Sequence, residues 1–218
     1  MAADPPLSAD ASPPSSASEP VELAQAAPGG EAIGQVTAVE GQVTITHPDG
    51  TKVTAQTGTP VFQGDAVETK AGAAVGVTFA DNSTFSLADS GSMVIDEMVY
   101  DPGSQSGKSV LSVAEGVFTF VSGEIAKTGV DAMTIKTPVA VIGIRGTAGG
   151  GKAGAEGTPN TFSMFADPNG NIGEMNVRTQ GGSVIFNKPL QTTQISSQFI
   201  PPLKPIALPA NVAQQFYS

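Results

Sequence analysis

Apolar and polar residues alternate with a two-residue period through most of the chain. Val43 and Ile45 alternate with Thr44 and Thr46, and the β-branched content of this run predicts a strand. Pro48-Asp49-Gly50 follows as a turn, because proline presets φ and glycine accepts positive φ. Lys52, Val53 and Thr54 start a return strand, and Gly64-Asp65 punctuates the chain before Ala66-Val67-Glu68-Thr69. The clearest hairpin comes next. Val75, Val77 and Phe79 alternate, Asp81-Asn82 supply a tight turn, and Phe85 and Leu87 continue the pattern.

Met93, Val94 and Ile95 predict another short strand, and Asp101-Pro102-Gly103 opens a polar loop through Gly107. Val110, Leu111 and Val113, then Val117, Phe118, Phe120 and Val121, read as a strand pair around Glu115-Gly116. Ile135 and residues 139–144 are the most apolar part, and a short apolar run between Pro138 and Gly146 fits a buried strand. Residues 146–159 are rich in glycine and read as a flexible loop. Residues 162–165, the Asn169-Gly170 turn and residues 172–177 read as a second hairpin, and 184–186 and 191–195 as two further strands. Strand-sized segments recur roughly every dozen residues, with no helix of βαβ length between them. The expected fold is therefore all-β: a short-stranded sandwich, or a β-roll of solenoid-like character.

The flanks differ. Residues 1–31 are rich in Ala, Pro, Ser and acids and hold no Lys, Arg or aromatic residue, which predicts a disordered acidic tail. Residues 201–218 are proline-rich (Pro201, Pro202, Pro205, Pro209), with a short helix expected over 210–217.

Composition narrows the function. There are 26 glycines, 17 prolines and no cysteine, so neither disulfides nor thiolate chemistry are available. A net charge of −10 repels phosphate backbones and anionic lipid, which excludes nucleic acid as an expected partner. No apolar stretch reaches the ~18 residues of a membrane span. Met1-Ala2-Ala3-Asp4-Pro5-Pro6 lacks the basic and apolar regions of a secretory signal. A removed signal, another export route and a cytosolic location all remain open on these residues.

Four segments in order resemble the FecR-type domain. They are Gly34-Gln35-Val36 with Gly41-Gln42-Val43; residues 61–69, containing Gly64 and Asp65; residues 79–87, containing Asp81 and Asn82; and residues 137–147, from Thr137-Pro138 to Arg145-Gly146-Thr147. The resemblance covers roughly residues 33–147. It implies an all-β, non-catalytic domain at residues 32–148, with the glycine-rich loop and extra hairpins at 149–200 as an addition. It also implies a protein partner and a place at the cell surface or outside the cell. The periplasmic half of an anti-sigma regulator is the alternative. An anti-sigma helical segment and a membrane anchor are not seen in this sequence, and the acidic tail and low lysine content look more like the front of a larger surface protein.

Candidate chemistry is sparse. Residues 146–153 meet the Gly-x4-Gly-Lys spacing of a phosphate loop, but Ala153 stands where a hydroxyl would hold Mg²⁺. Asp167, Asn169 and Asn171 present oxygens at alternate positions, as weak Ca²⁺ candidates. Ile172 and Arg178 stand where a calcium loop needs Gly and Glu, so a hairpin turn is the preferred reading. No other metal or cofactor is expected. Asp96, Glu97 and Asp101 form an acidic cluster near Tyr100. Such carboxylates could do acid–base work or split a glycosidic bond; with no tryptophan in the chain and no aromatic platform nearby, loop solvation or a weak Ca²⁺ contact is the preferred reading. The sole histidine, His47, reads as a surface turn residue, and a Ser-His-Asp triad would have to use it. Arg145, between Gly143 and Gly146, has two readings: an ion pair with Asp65 or Glu68 that locks strand ends, which is preferred, or a guanidinium held for a partner carboxylate.

Overall fold

A computed structural model describes Met1 and residues 30–209; the expected tail and C-terminal helix lie mostly outside these residues. Among the described residues the chain forms seventeen strands and one helical turn, all-β as its periodicity requires. The strands fall into two ladders. The first joins β4 (Pro60–Val61), β1 (Gly34–Glu40), β6 (Ala74–Phe79), β7 (Thr84–Leu87), the end of β9 (Ser106–Val121), β12 (Ala148–Ala153), β13 (Asn160–Phe165), β16 (Gln191–Ile195) and β17 (Ile206–Ala207). The second joins β3 (Lys52–Thr54), β2 (Val43–Thr46), β5 (Ala66–Thr69), β8 (Ser92–Asp101), the start of β9, β10 (Met133–Lys136), β11 (Val141–Arg145), β14 (Glu174–Thr179) and β15 (Gly182–Phe186). Successive segments of chain alternate between the ladders, and one apolar core from Val36 to Ile195 lies between them.

Strand β9 is the hinge of this arrangement. The sequence pattern suggests two strands around Glu115-Gly116, but the chain runs on as one 16-residue strand. Its first part pairs with β8 and β10, and its last part with β7 and β12. Gly116 has φ +106°, which lets the strand bend out of one sheet into the other. The inward face then delivers Leu111 and Val113 to one layer and Phe118 and Phe120 to the other. Phe118 stacks on Phe85 at 5.6 Å between ring centroids. From Val121 the chain returns through the helical turn α1 (Ile125–Thr128) to β10, which pairs in parallel with the start of β9.

The glycine-rich run is not a loop. Ala148–Ala153 is strand β12, buried except at Lys152 and paired on both sides. The missing side chains make room for rings: a Cβ at Gly151 would lie 2.7 Å from both Phe118 Cζ and Phe162 Cδ1, and one at Gly149 2.7 Å from Phe120 Cζ. Three phenylalanines thus fill the space above β12. Pattern alone cannot show this, because the apolar atoms that occupy these positions belong to neighbouring strands. The segments around Asn169-Gly170 also differ from expectation. Strands β13 and β14 belong to different ladders, so the turn carries a crossover and not a hairpin.

Candidate functional site

The conspicuous polar residues hold turns. Asp65 is fully buried. Its Oδ1 lies 2.7 Å from His47 Nδ1, and its Oδ2 accepts the Phe62 N–H at 2.8 Å. The expectation that His47 is a surface turn residue is therefore corrected. His47 is only 6% exposed, and Phe62 packs edge-on against its ring at 5.6 Å. The His47 side chain folds inward because Asp65, 18 residues on, supplies a buried acceptor. Gly64, at φ +87°, makes the turn that brings this carboxylate round, and its N–H donates to the Ile95 carbonyl at 2.7 Å.

Asp81 is equally buried. It accepts the Ser83 N–H at 3.0 Å, the Ser83 hydroxyl at 2.5 Å and the Ile125 N–H at 3.1 Å. One carboxylate thereby closes the β6–β7 turn, where Asn82 sits at φ +62°, and anchors the start of α1. Thr137 closes a turn on itself: its hydroxyl donates to the Ala140 carbonyl and accepts the Ala140 N–H, both at 3.1 Å, with Pro138 between. Thr147 is fully buried, its hydroxyl donates to the Phe165 carbonyl at 2.8 Å, and its N–H donates to the Ser122 hydroxyl oxygen at 2.8 Å. It sits one residue past Gly146, at the corner where β11 leaves one ladder and β12 enters the other.

The ion pair expected for Arg145 is not formed. Asp65 is occupied by His47, and among the described residues no ion pair includes Arg145, which is exposed at the end of β11. Arg178 does the clamping instead, donating to Asp131 Oδ2 at 2.6 Å. That pair lies over Gly143, where a Cβ would collide with the Asp131 carboxylate. The sequence signal for this clamp was the glycine at an otherwise apolar strand position; its partner loop, 47 residues upstream of Arg178, gave none. Arg145 lines an open cleft of about 480 Å³ with Lys127, Gly146, Ile172, Gly173 and Glu174.

The remaining acids are separated. Ser112 donates to Asp96 at 2.6 Å, Lys108 pairs with Glu97 at 2.8 Å, and Asp101 accepts the Gly103 N–H and the Ser104 hydroxyl. The Asp167 carboxylate is used by its own turn. It accepts the N–H groups of Asn169 and Asn171 at 2.9 and 2.7 Å, and the Asn171 side-chain amide at 2.9 Å. The Asn171 amide, followed by the backbone donors, holds the Asp167 carboxyl below the usual carboxylate range. No group of three His, Cys, Asp or Glu residues suited to a metal ion occurs among the described residues.

Residues 65–165 match the family described as FecR protein, so the chain carries a FecR domain over that stretch, from the buried Asp65 to the end of β13. Two crystal structures of a candidate anti-sigma factor from Parabacteroides distasonis share the fold. Each aligns with a TM-score of 0.51 at 15% identity, over 68% of this chain and 62% of that one. The alignment thus spans less than two thirds of that protein, and the likeness is one of fold. A cell surface anchoring domain aligns over 29% of this chain and 83% of its own length, at 28% identity and a TM-score of 0.28. No curated protein matches the chain.

Proposed function

We propose that this chain is a non-catalytic interaction module of a bacterial envelope or cell-surface protein, and that it docks a protein partner through its exposed strand ends and loops. The FecR domain supports the first part of this reading. Asp65, Asp81, Thr137 and Thr147 spend their hydrogen bonds on the fold's own turns, which leaves function to the surface. The observation that carries the docking reading is Arg145: an exposed guanidinium outside every ion pair of the described residues, in an open cleft it shares with Lys127 and with Glu174, its register partner on β14. A guanidinium in such a place receives a carboxylate in bidentate fashion.

Photo-cross-linking from position 145 in intact cells should capture a protein partner, and Arg145→Gln should abolish that partner's recovery without moving the melting temperature. Equal recovery with the variant would defeat the assignment of Arg145. A second reading, the sensing domain of an envelope regulator, is favoured by the fold shared with the candidate anti-sigma factor. It predicts that deleting the gene alters sigma-factor-dependent transcription; an unchanged transcript profile would remove it.

A further inference from the structure

Among the described residues the two ladders end in four edge strands, and three of them are blunted. Strand β4 begins with the exposed Pro60, β3 is three residues long and carries the exposed Lys52, and β17 is two residues long and lies between Pro205 and Pro209. Each device discourages pairing with another chain. Strand β15 has none of them. Its five residues, Gly182-Ser183-Val184-Ile185-Phe186, include no charge and no proline, and among the described residues it pairs with β14 alone. Antiparallel geometry turns the N–H and C=O of every second residue away from β14 toward the open side. Ile185 is 49% exposed on this strand.

The surroundings favour an apolar neighbour. The β14–β15 turn is tied to residues 198–200: the Gln180 N–H donates to the Gln198 carbonyl at 2.7 Å, and the Thr179 hydroxyl to the Ile200 carbonyl at 2.7 Å. This brings the exposed Phe199 and Ile200 beside the start of the edge. Between residues 179 and 203 the sequence holds a single charged residue, Lys188. In a chain of net charge −10, this is a surface that a like-charged molecule can approach without strong repulsion.

We infer that β15 is a self-association edge: two copies pair β15 to β15, antiparallel, about a two-fold axis. A pairing centred on Val184 sets Ser183 of each copy opposite Ile185 of the other, with no charge opposed to a charge. It also lays each Gly181 turn, with its Phe199 and Ile200, alongside the Phe186 end of the second copy. The second ladder then continues unbroken across the dimer.

Sedimentation of the full chain from about 1 μM to about 1 mM tests this. The expected result is a monomer–dimer equilibrium, accompanied by slower hydrogen exchange of the β15 amides as concentration rises. Ile185→Lys places a charge on the edge at an exposed site. It should weaken dimerisation by about tenfold or more, with an unchanged circular-dichroism spectrum. Phe199→Ser should weaken it less. A monomer at every concentration would overturn the inference, as would a dimer untouched by both substitutions. Either result would leave the Arg145 cross-linking outcome, and with it the docking reading, unaffected.

Discussion

Asp81 and Asp167 hold turns with the same chemistry at opposite extremes of environment. Each carboxylate accepts three hydrogen bonds. Asp81 is fully buried, and one of its donors, the Ile125 N–H, comes from 44 residues away. Asp167 is half-buried in a surface turn, and all its donors are within four residues. Losing Asp81 would strand buried donors and free α1 from the sandwich, whereas water can replace everything Asp167 does. The strength of a turn device in this protein therefore follows burial and sequence range, not the number of bonds.

Four measurements, from largest expected effect to smallest, would break or sharpen that contrast. Asp81→Ala should lower the unfolding free energy by about 3 kcal/mol in a urea titration. A loss no greater than that of a surface substitution would end the comparison. Gly151→Ala probes burial without any hydrogen bond. Its new methyl meets Phe118 and Phe162, and about 2 kcal/mol should be lost in thermal unfolding. Arg178→Lys tests range without full burial, since Arg178 and Asp131 are 47 residues apart but each about a third exposed. Solvent screening limits the expected cost to about 0.5 kcal/mol.

Asp167→Ala should shift the melting midpoint least, by under about 2 °C at neutral pH. Its pH dependence has a definite sign. The folded carboxyl titrates below its ordinary value of 3.8, so its contribution is complete above that value and is lost as pH falls through the lowered folded one. Melting curves of the two proteins should thus differ at about pH 5 and converge in stronger acid. A difference that persists or grows on acidification would contradict the role given to the Asn171 donors.

Much of the architecture was legible in the residues. The alternation Val75, Val77, Phe79 became the buried face of β6, and Asp81-Asn82 became the turn it announced. The run before Arg145 became β11. The failures share a cause. Gly116 looked like a break between strands and is a bend within one. Gly149 and Gly151 looked like loop residues and are strand positions whose space is filled by phenylalanines of other strands. His47 looked exposed because it sits beside the Pro48-Asp49-Gly50 turn, and the buried acceptor that draws it inward, Asp65, is 18 residues away. At the candidate site, the ion pair foreseen between Arg145 and Asp65 or Glu68 is not formed among the described residues, Asp65 being committed to His47, and the arginine clamp that does form is a different pair, Arg178 with Asp131.

By itself the sequence determined the all-β class, the two-residue rhythm of core and surface, most of the turns, and an acidic, cysteine-free surface. These are local properties, set by side-chain branching, by backbone freedom at Asn and Gly, and by composition. Tertiary structure alone decided which strands share a ladder, which acids are buried and, among the described residues, which arginine forms no ion pair and which edge stays open. Each of those depends on two segments far apart in the chain meeting in space, and the spacing of residues along one segment does not encode where the other will lie.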